Sequence, residues 1–321
     1  MPNTSRYAWY NGQLIESERA TLHVLTPALH YGLGVFEGIR CYATDAGPAV
    51  FRLREHMERL LRSASILGFR SFPYSVDELV AATVATVAAS GMGDCYIRPL
   101  AYLVEGGWNL DIDGGRPDVS ITVWEWNAYL GDAARSQGVR ANVSSFTRHH
   151  PNATMTKAKI CGNYANSVLA KTESRRLGFD EAIMLDPDGY VAECTGENIF
   201  IVKDGCVFTP HGAAILEGIT RAALMTLASD LGITVQETMV TRDAVYGADE
   251  VFVCGTAAEV IGLVDVDFRR IGNGAVGPIT RALQDAYHDA VRGRGPRAAG
   301  WLTPVPQVAP AARLSGGGPA A

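Results

Sequence analysis

Two domains of mixed α/β class are what this sequence predicts, and three observations carry that reading. Short β-type runs alternate with segments of helical period. The chain has 321 residues, more than one ordinary domain of roughly 100–200 residues. A stretch over residues 127–138, with two glycines, charges and no sustained apolar period, divides it. The expected organisation is a unit over 1–129, a linker over 130–136, a second unit over 137–302 and a disordered tail over 303–321. From Thr303 onward, 12 of 19 residues are Pro, Gly or Ala, which is too little apolar surface to repay ordering.

The elements follow in order. Tyr7 to Leu14 reads as a strand, a turn at Asn11-Gly12 and a return strand. Val50 to Leu53 is a short strand. Arg54 to Leu67 places Met57, Leu60, Leu61, Ala64 and Leu67 at helical spacing and stops at Gly68. Ser75 with Glu78 makes a capping box, opening a helix that runs to Gly91. Cys95 to Val104 and Val119 to Trp126 are buried strands around a turn-rich loop, Asn109 to Pro117. Then come a strand at Val139 to Ser144, a polar loop at Thr147 to Thr156 and a helix near Asn163 to Leu177. A hairpin turns at Lys203-Asp204-Gly205, a helix covers Thr220 to Leu231, a strand covers Glu250 to Cys254, and a last helix follows Pro278.

Composition excludes several functions. The chain is 47% hydrophobic and 19% charged, as globular proteins are. Its net charge is −6, and no basic block is interleaved with aromatics, which argues against a nucleic-acid surface. No run of 18 apolar residues exists to span a membrane, and the N-terminus lacks the apolar core of a signal peptide. The six cysteines, at 41, 95, 161, 194, 206 and 254, form neither a C-x-x-C pair nor a zinc cluster. A reduced cytoplasmic setting is therefore expected. His149 and His150 are adjacent and point apart in an extended chain, so no metal is expected. His30 reads as a hydrogen-bonded structural residue.

Of 28 basic residues only four are lysines: Lys157, Lys159, Lys171 and Lys203. Lys203 sits in the hairpin turn, and Lys171 reads as a surface charge on a helix. Lys157 and Lys159 precede Ile160-Cys161-Gly162, and on an extended stretch their side chains alternate sides. One can then face a pocket and lose hydration, which lowers a lysine pKa and suits it to Schiff-base chemistry. Spacing alone leaves both as candidates, and two ordinary lysines would also explain it. Gly218-Ile219-Thr220 opens a helix and offers free N–H groups to an anion. Gly255-Thr256-Ala257-Ala258, after a strand, is a second such place. Together they suggest a phosphorylated cofactor.

These residues resemble a known family. Glu193-Cys194-Thr195-Gly196-Glu197-Asn198-Ile199-Phe200, Val207-Phe208-Thr209 and Leu216-Glu217-Gly218-Ile219-Thr220-Arg221 together look like the signature of class IV pyridoxal-phosphate aminotransferases. Within that class, Leu29-His30-Tyr31-Gly32, Val35-Phe36-Glu37-Gly38-Ile39-Arg40 and Tyr96-Ile97-Arg98-Pro99 resemble the branched-chain amino-acid aminotransferases. The likeness runs from about Tyr7 to Trp301. It implies fold type IV, with a smaller N-terminal and a larger C-terminal domain and pyridoxal 5'-phosphate in the cleft between them. It implies that Lys159 carries the cofactor and shuttles the proton, that Glu193 bonds the pyridine nitrogen, and that Tyr164 bonds the phenolic oxygen. Arg59 would bind the phosphate with Gly218, Ile219, Thr220 and Thr256, although a surface salt bridge would explain Arg59 equally well.

The resemblance further implies a substrate carboxylate held by Arg98, Tyr96 and the N–H groups of Thr256, Ala257 and Ala258. The side chain would enter an apolar pocket of Tyr31, Phe36, Gly38, Trp126 and Tyr129. Arg98 or Arg40 would supply the cation for 2-oxoglutarate. Trp108 and Leu110 would reach the pocket from a neighbouring subunit, so a homodimer or larger homo-oligomer is implied. Trp108 departs from the family's usual loop, as Met155 and Cys161 depart from a common proline and glycine. The implied activity is transamination of leucine, isoleucine and valine. The rivals are a transaminase for an unusual amino acid, a D-amino-acid transaminase or aminodeoxychorismate lyase, and a non-catalytic binding homologue.

Overall fold

Asn11 and Gly12 take φ of 44° and 94°, the left-handed pair that a two-residue hairpin turn requires. They join β1 (Tyr7–Tyr10) to β2 (Gln13–Glu16). The computed structural model describes residues 3–126, 130, 133–211 and 214–306. Helix α1 (Pro27–Tyr31), strands β3 (Gly34–Phe36), β4 (Ile39–Thr44) and β5 (Gly47–Phe51), helices α2 (Leu53–Leu67) and α3 (Val76–Ser90), and strands β6 (Cys95–Glu105) and β7 (Arg116–Trp124) complete the first half. Its sheet runs β5-β4-β6-β7-β1-β2, with β3 on β6 and every pair antiparallel.

Helix α2 buries Leu53, Met57, Leu60 and Ala64 against Ile39, Ile97 and Ile121 of this sheet. It stops where Gly68 takes φ 106° and its N–H donates to Ala64 O. The Ser75–Glu78 capping box is present at the start of α3.

The second half begins with α4 (Ala134–Gln137), β8 (Val139–Val143), α5 (Tyr164–Arg176), β9 (Glu181–Leu185), β10 (Val191–Cys194), β11 (Asn198–Lys203) and β12 (Cys206–Pro210). It continues through α6 (Ile219–Asp230), β13 (Val235–Thr238), α7 (Arg242–Tyr246), β14 (Glu250–Gly255), β15 (Glu259–Val266), β16 (Arg269–Arg270), α8 (Pro278–Val291) and α9 (Ala298–Trp301). Its sheet runs β10-β9-β8-β15-β14-β11-β12-β13, with β16 on β15. Three of its pairings, β8–β9, β8–β15 and β12–β13, are parallel.

Tyr42 and Phe51 of the first sheet share one buried cluster with Phe200, Phe252, Leu224 and Tyr287 of the second half. The two sheets therefore meet through a common apolar core, and the site lies beside it. Among the described residues, no helix is long and apolar enough to cross a membrane.

Two expectations need correction. The stretch from Thr303 was expected to be disordered; residues 307–321 of it lie outside the described residues, but Thr303 and Pro304 belong to β17 (Leu302–Pro304), which pairs with β5 in the register Leu302↔Phe51. An open sheet edge offers unpaired N–H and C=O groups, and the adjoining Val305 is buried in the first core. The linker also carries structure: Ala134 to Ser136 lie in α4, where Ala134 is buried and Arg135 O accepts from Gln284 Nε2 of α8 at 3.0 Å.

Ending the chain after Trp301 removes this edge strand and the burial of Val305, which is worth about 1.5–3 kcal/mol. The thermal midpoint, followed by circular dichroism, should fall by several degrees or more; an unchanged midpoint would show that β17 contributes nothing.

Candidate active site

Between the sheets lies a cleft of about 430 Å³, a size typical of small-molecule sites. Fourteen of the expected residues line it: Phe36, Gly38, Arg59, Tyr96, Arg98, Trp126, Lys159, Tyr164, Glu193, Gly218, Ile219, Thr220, Thr256 and Ala257.

Lys159 is not on a strand, contrary to the extended reading of its surroundings. It sits in the turn-rich loop before α5, with only Ile160 making an isolated bridge, to Val35. The loop is nonetheless fixed, because Lys159 N donates to Ser63 Oγ at 3.1 Å and Phe36 N donates to Lys159 O at 3.1 Å. Both partners belong to the first half. Lys159 Nζ lies 2.5 Å from Tyr164 Oη and 4.8 Å from the Phe36 ring centroid. Lys157 turns away and donates to Ile215 O at 3.1 Å.

Glu193, on β10, meets Arg148 Nη2 at 2.6 Å and accepts from Leu216 N at 3.1 Å and Asn198 Nδ2 at 3.2 Å. Arg59, on α2, donates Nε and Nη2 to the two oxygens of Glu37 at 2.7 and 2.8 Å, and Nη1 to Glu217 O at 2.8 Å. It is therefore no surface salt bridge. N–H groups remain on both terminal nitrogens. Burial alone would raise the Glu37 carboxyl, but Arg59 and His56 outweigh it and hold the group well below the usual range. Gly218 is the N-cap of α6, so the first N–H groups of that helix open on the cleft. A Cβ at Gly218 would lie 2.0 Å from Asn198 Oδ1.

The opposite wall is aromatic. The Arg98 guanidinium lies 4.6 Å from the Phe36 centroid and 5.4 Å from that of Tyr96, and its buried Nε has no hydrogen-bond partner. Ring faces thus hold a cation that spends only Nη2 on a side-chain partner, Tyr96 Oη at 3.5 Å, among the described residues. Tyr96 stacks on Trp126 with centroids 4.6 Å apart, and a Cβ at Gly38 would lie 2.0 Å from Tyr96 Oη.

Other expected residues stand elsewhere. Arg40 is outside the lining, its Nη1 on Glu259 Oε1 at 2.8 Å. A paired guanidinium next to its own carboxylate has no reason to face the cleft. Ala258 ends the turn at 256–258 and is buried outside the lining. Tyr31, Trp108 and Leu110 are outside the cleft at 41%, 49% and 78% exposure. Tyr31 and Trp108 form an open aromatic cluster with His30, whose Nε2 meets Val24 O at 2.9 Å. Tyr129 lies outside the described residues.

Sequence reasoning missed Arg148 and the buried charge behind Glu193. Arg148 lies in a polar loop without periodicity, so nothing local marks it. Lys171 is no surface charge, since its Nζ donates to fully buried Glu181 Oε2 at 2.5 Å and Asp180 O at 2.6 Å. Thr195 Oγ1 bonds the other oxygen of Glu181. Glu197, on the cleft wall, is buried beside them, and burial followed by the Glu181 carboxylate pushes its pKa well up, against the pull of Lys171. Among the described residues, no cluster is suited to a metal ion.

Comparison with known proteins agrees with the motifs. The chain belongs to the family described as amino-transferase class IV, whose model matches residues 34–266, and it is thus an aminotransferase. It is 50% identical over 297 residues to the branched-chain-amino-acid aminotransferase of Pseudomonas aeruginosa, covering 92% of this chain and 96% of that one. It is 45% identical to the Escherichia coli enzyme of that name over 94% of this chain and 98% of that one. The crystal structure of the Escherichia coli enzyme superposes with a TM-score of 0.91 at 44% identity, over 94% of this chain and all of that one. The branched-chain amino acid aminotransferase of Thermobaculum terrenum, solved in its PLP-form, gives 0.88 at 37% identity, over 95% of this chain and 99% of that one. These matches establish fold type IV.

The Glu197 environment has a measurable consequence. An acid whose pKa rises on folding keeps a proton that the unfolded chain has released, so stability falls as pH climbs from the usual carboxyl range through neutrality. Glu197→Gln has no such proton to lose. The stability difference, variant minus wild type, should grow with pH in urea melts from pH 5 to 8; a difference independent of pH would show that Glu197 titrates as an ordinary carboxyl.

Proposed function

We propose that this aminotransferase uses pyridoxal 5'-phosphate to transfer the amino group of L-leucine, L-isoleucine or L-valine to 2-oxoglutarate, giving branched 2-oxo acids and L-glutamate. It works in the cytoplasm as a homodimer or larger homo-oligomer. The observation that carries this reading is the Lys159–Tyr164 pair at 2.5 Å, set between the Glu193 carboxylate and the anion-binding start of α6.

The donor set suits the cofactor along its length. Ile219 and Thr220 N–H groups, the Thr256 hydroxyl and the uncommitted N–H groups of Arg59 take the phosphate, with Gly218 allowing the close approach. Glu193, held in place by Arg148, keeps a proton at the ring nitrogen. Tyr164 bonds the phenolic oxygen. When bound, the cofactor supplies an electron sink for the bond broken at the substrate α-carbon. Lys159 Nζ would hold the cofactor and, once the substrate amine has displaced it, the freed amine would serve as the base for the proton of that α-carbon. Its place on a pinned loop, against the Phe36 ring, keeps the amine aimed and short of water.

Arg98 takes substrate carboxylate on its unpartnered side, together with Tyr96 and the N–H groups of Thr256, Ala257 and Ala258. Arg98 is also the cation for 2-oxoglutarate. Phe36, Gly38 and Trp126 form the apolar pocket, and the partner copy adds Trp108 and Leu110. The exposure of those two residues, with Trp108 clustered against Tyr31 and His30, supports that arrangement, because clustered exposed aromatics mark interaction surfaces. A pocket of this kind separates substrates by only about 1–3 kcal/mol per methylene, so several aliphatic donors react.

Two experiments test the reading. Borohydride reduction of the purified protein should leave the cofactor's mass on the peptide carrying Lys159, and Lys159→Ala should lose roughly 10²–10⁴-fold or more in kcat; no labelled lysine would overturn the assignment. In a panel of amino donors with 2-oxoglutarate, leucine, isoleucine and valine should all turn over; failure of all three with success of another donor would redirect the substrate assignment.

A further inference from the structure

One carboxylate oxygen ties the turn at 256–258 to the strand beside Tyr96. Glu259 opens β15 immediately after the Thr256–Ala258 turn. It takes φ 61°, a left-handed conformation that a residue with a side chain keeps only where its surroundings hold it. Its Oε1 accepts from Arg40 Nη1 at 2.8 Å and from Tyr42 Oη at 2.9 Å. Arg40 and Tyr42 stand on β4 on the same face as Gly38, and Arg40 is the cross-strand partner of Tyr96. Tyr42 is buried in the same cluster as Tyr287 of α8 and Leu224 of α6. From Glu259, contacts therefore reach the strand that pairs with Tyr96 and, through its own backbone, the turn at 256–258. The pair is largely shielded, with side-chain exposure of 14% for Arg40 and 29% for Glu259, so this charge-assisted bond is stronger than a surface one.

We propose that Glu259 is a positioning residue for carboxylate recognition: anchored to Arg40 and Tyr42, it fixes the 256–258 turn against the Gly38–Tyr96 wall. This rests on the proposed reading, in which N–H groups of that turn meet the substrate carboxylate. Releasing the anchor frees a turn that leads into the left-handed Glu259, and the donors lose their aim while Lys159, Tyr164 and Glu193 stay in place. The effect belongs in binding rather than in the chemical step.

The test uses the holoenzyme with Glu259→Gln, which keeps the shape and an acceptor oxygen, with Arg40→Ala, and with both together. KM for leucine and for 2-oxoglutarate should rise roughly tenfold or more in Glu259→Gln, the scale of a lost charged hydrogen bond, with kcat changed by less than about threefold. The Kd of 4-methylvalerate, a branched carboxylate with no amino group to transfer, should rise in parallel by calorimetry. The double variant should be no worse than Glu259→Gln, because one anchor is lost in both. Unchanged KM and Kd, even with a lowered thermal midpoint, or effects that add in the double variant would overturn the proposal. Should Glu259→Gln not fold, Tyr42→Phe removes one bond to the same oxygen; a smaller rise in Kd supports the anchor and no rise overturns it. Wild type that binds 4-methylvalerate but turns over no branched-chain donor would count against the substrate reading, while its Kd series would still decide the role of Glu259.

Discussion

The backbone of Lys159 is held by the opposite half of the molecule, and the site depends on that grip. Its N–H and C=O are bonded to Ser63 and Phe36, and the following residue bridges to Val35. The contact is close because small residues face each other: Gly162 N donates to Gly32 O at 3.3 Å, and a Cβ at Gly32 would fall 2.8 Å from Gly162 Cα. Gly32 also takes φ 67° as the C-cap of α1, so both backbone conformation and space demand glycine there. A loop is free to move unless its polar backbone groups are satisfied, and here they are satisfied across the cleft. Amine, phenol and aromatic wall are thereby set together by packing rather than by sequence proximity.

Charge around the cleft is matched group by group. Glu37 has Arg59 and His56, Glu193 has Arg148, and Glu181 has Lys171. Burying a carboxylate without such a partner costs several kcal/mol, which explains why each acid comes with a cation from a different element. Glu197 departs from this pattern: buried, and beside Glu181 with Lys171 already shared, it holds its proton more tightly.

Local rules made much of the fold legible. The Ser75–Glu78 box, the Gly68 stop and the Asn11-Gly12 turn each depend on residues a few positions apart, and each stands in the structure. Residues whose meaning depends on distant partners were less legible. Arg148 has no pattern around it and acquires a role only through Glu193, forty-five positions later in the chain, and Lys171 looks solvated until Glu181 folds beneath it. Arg40 shows the reverse case. Its motif marks it for the cleft, and Glu259, far along the sequence, draws its guanidinium away. β17 was invisible because its Pro-rich composition resembles a tail, whereas its pairing is decided by the free edge of β5.

The scarcity of lysine takes on a physical meaning beside these pairs. A guanidinium stays charged at every pH the protein meets, binds a carboxylate through parallel bonds and lies flat on rings. Arg59 does the first two against Glu37, and Arg98 does the last against Phe36. Neither could serve as a base. A primary amine can form an imine, which a guanidinium does not, and Lys159 lines the cleft beside a phenol and an aromatic face. With permanent charge assigned to arginine, that amine is the group which the proposed function leaves for covalent chemistry.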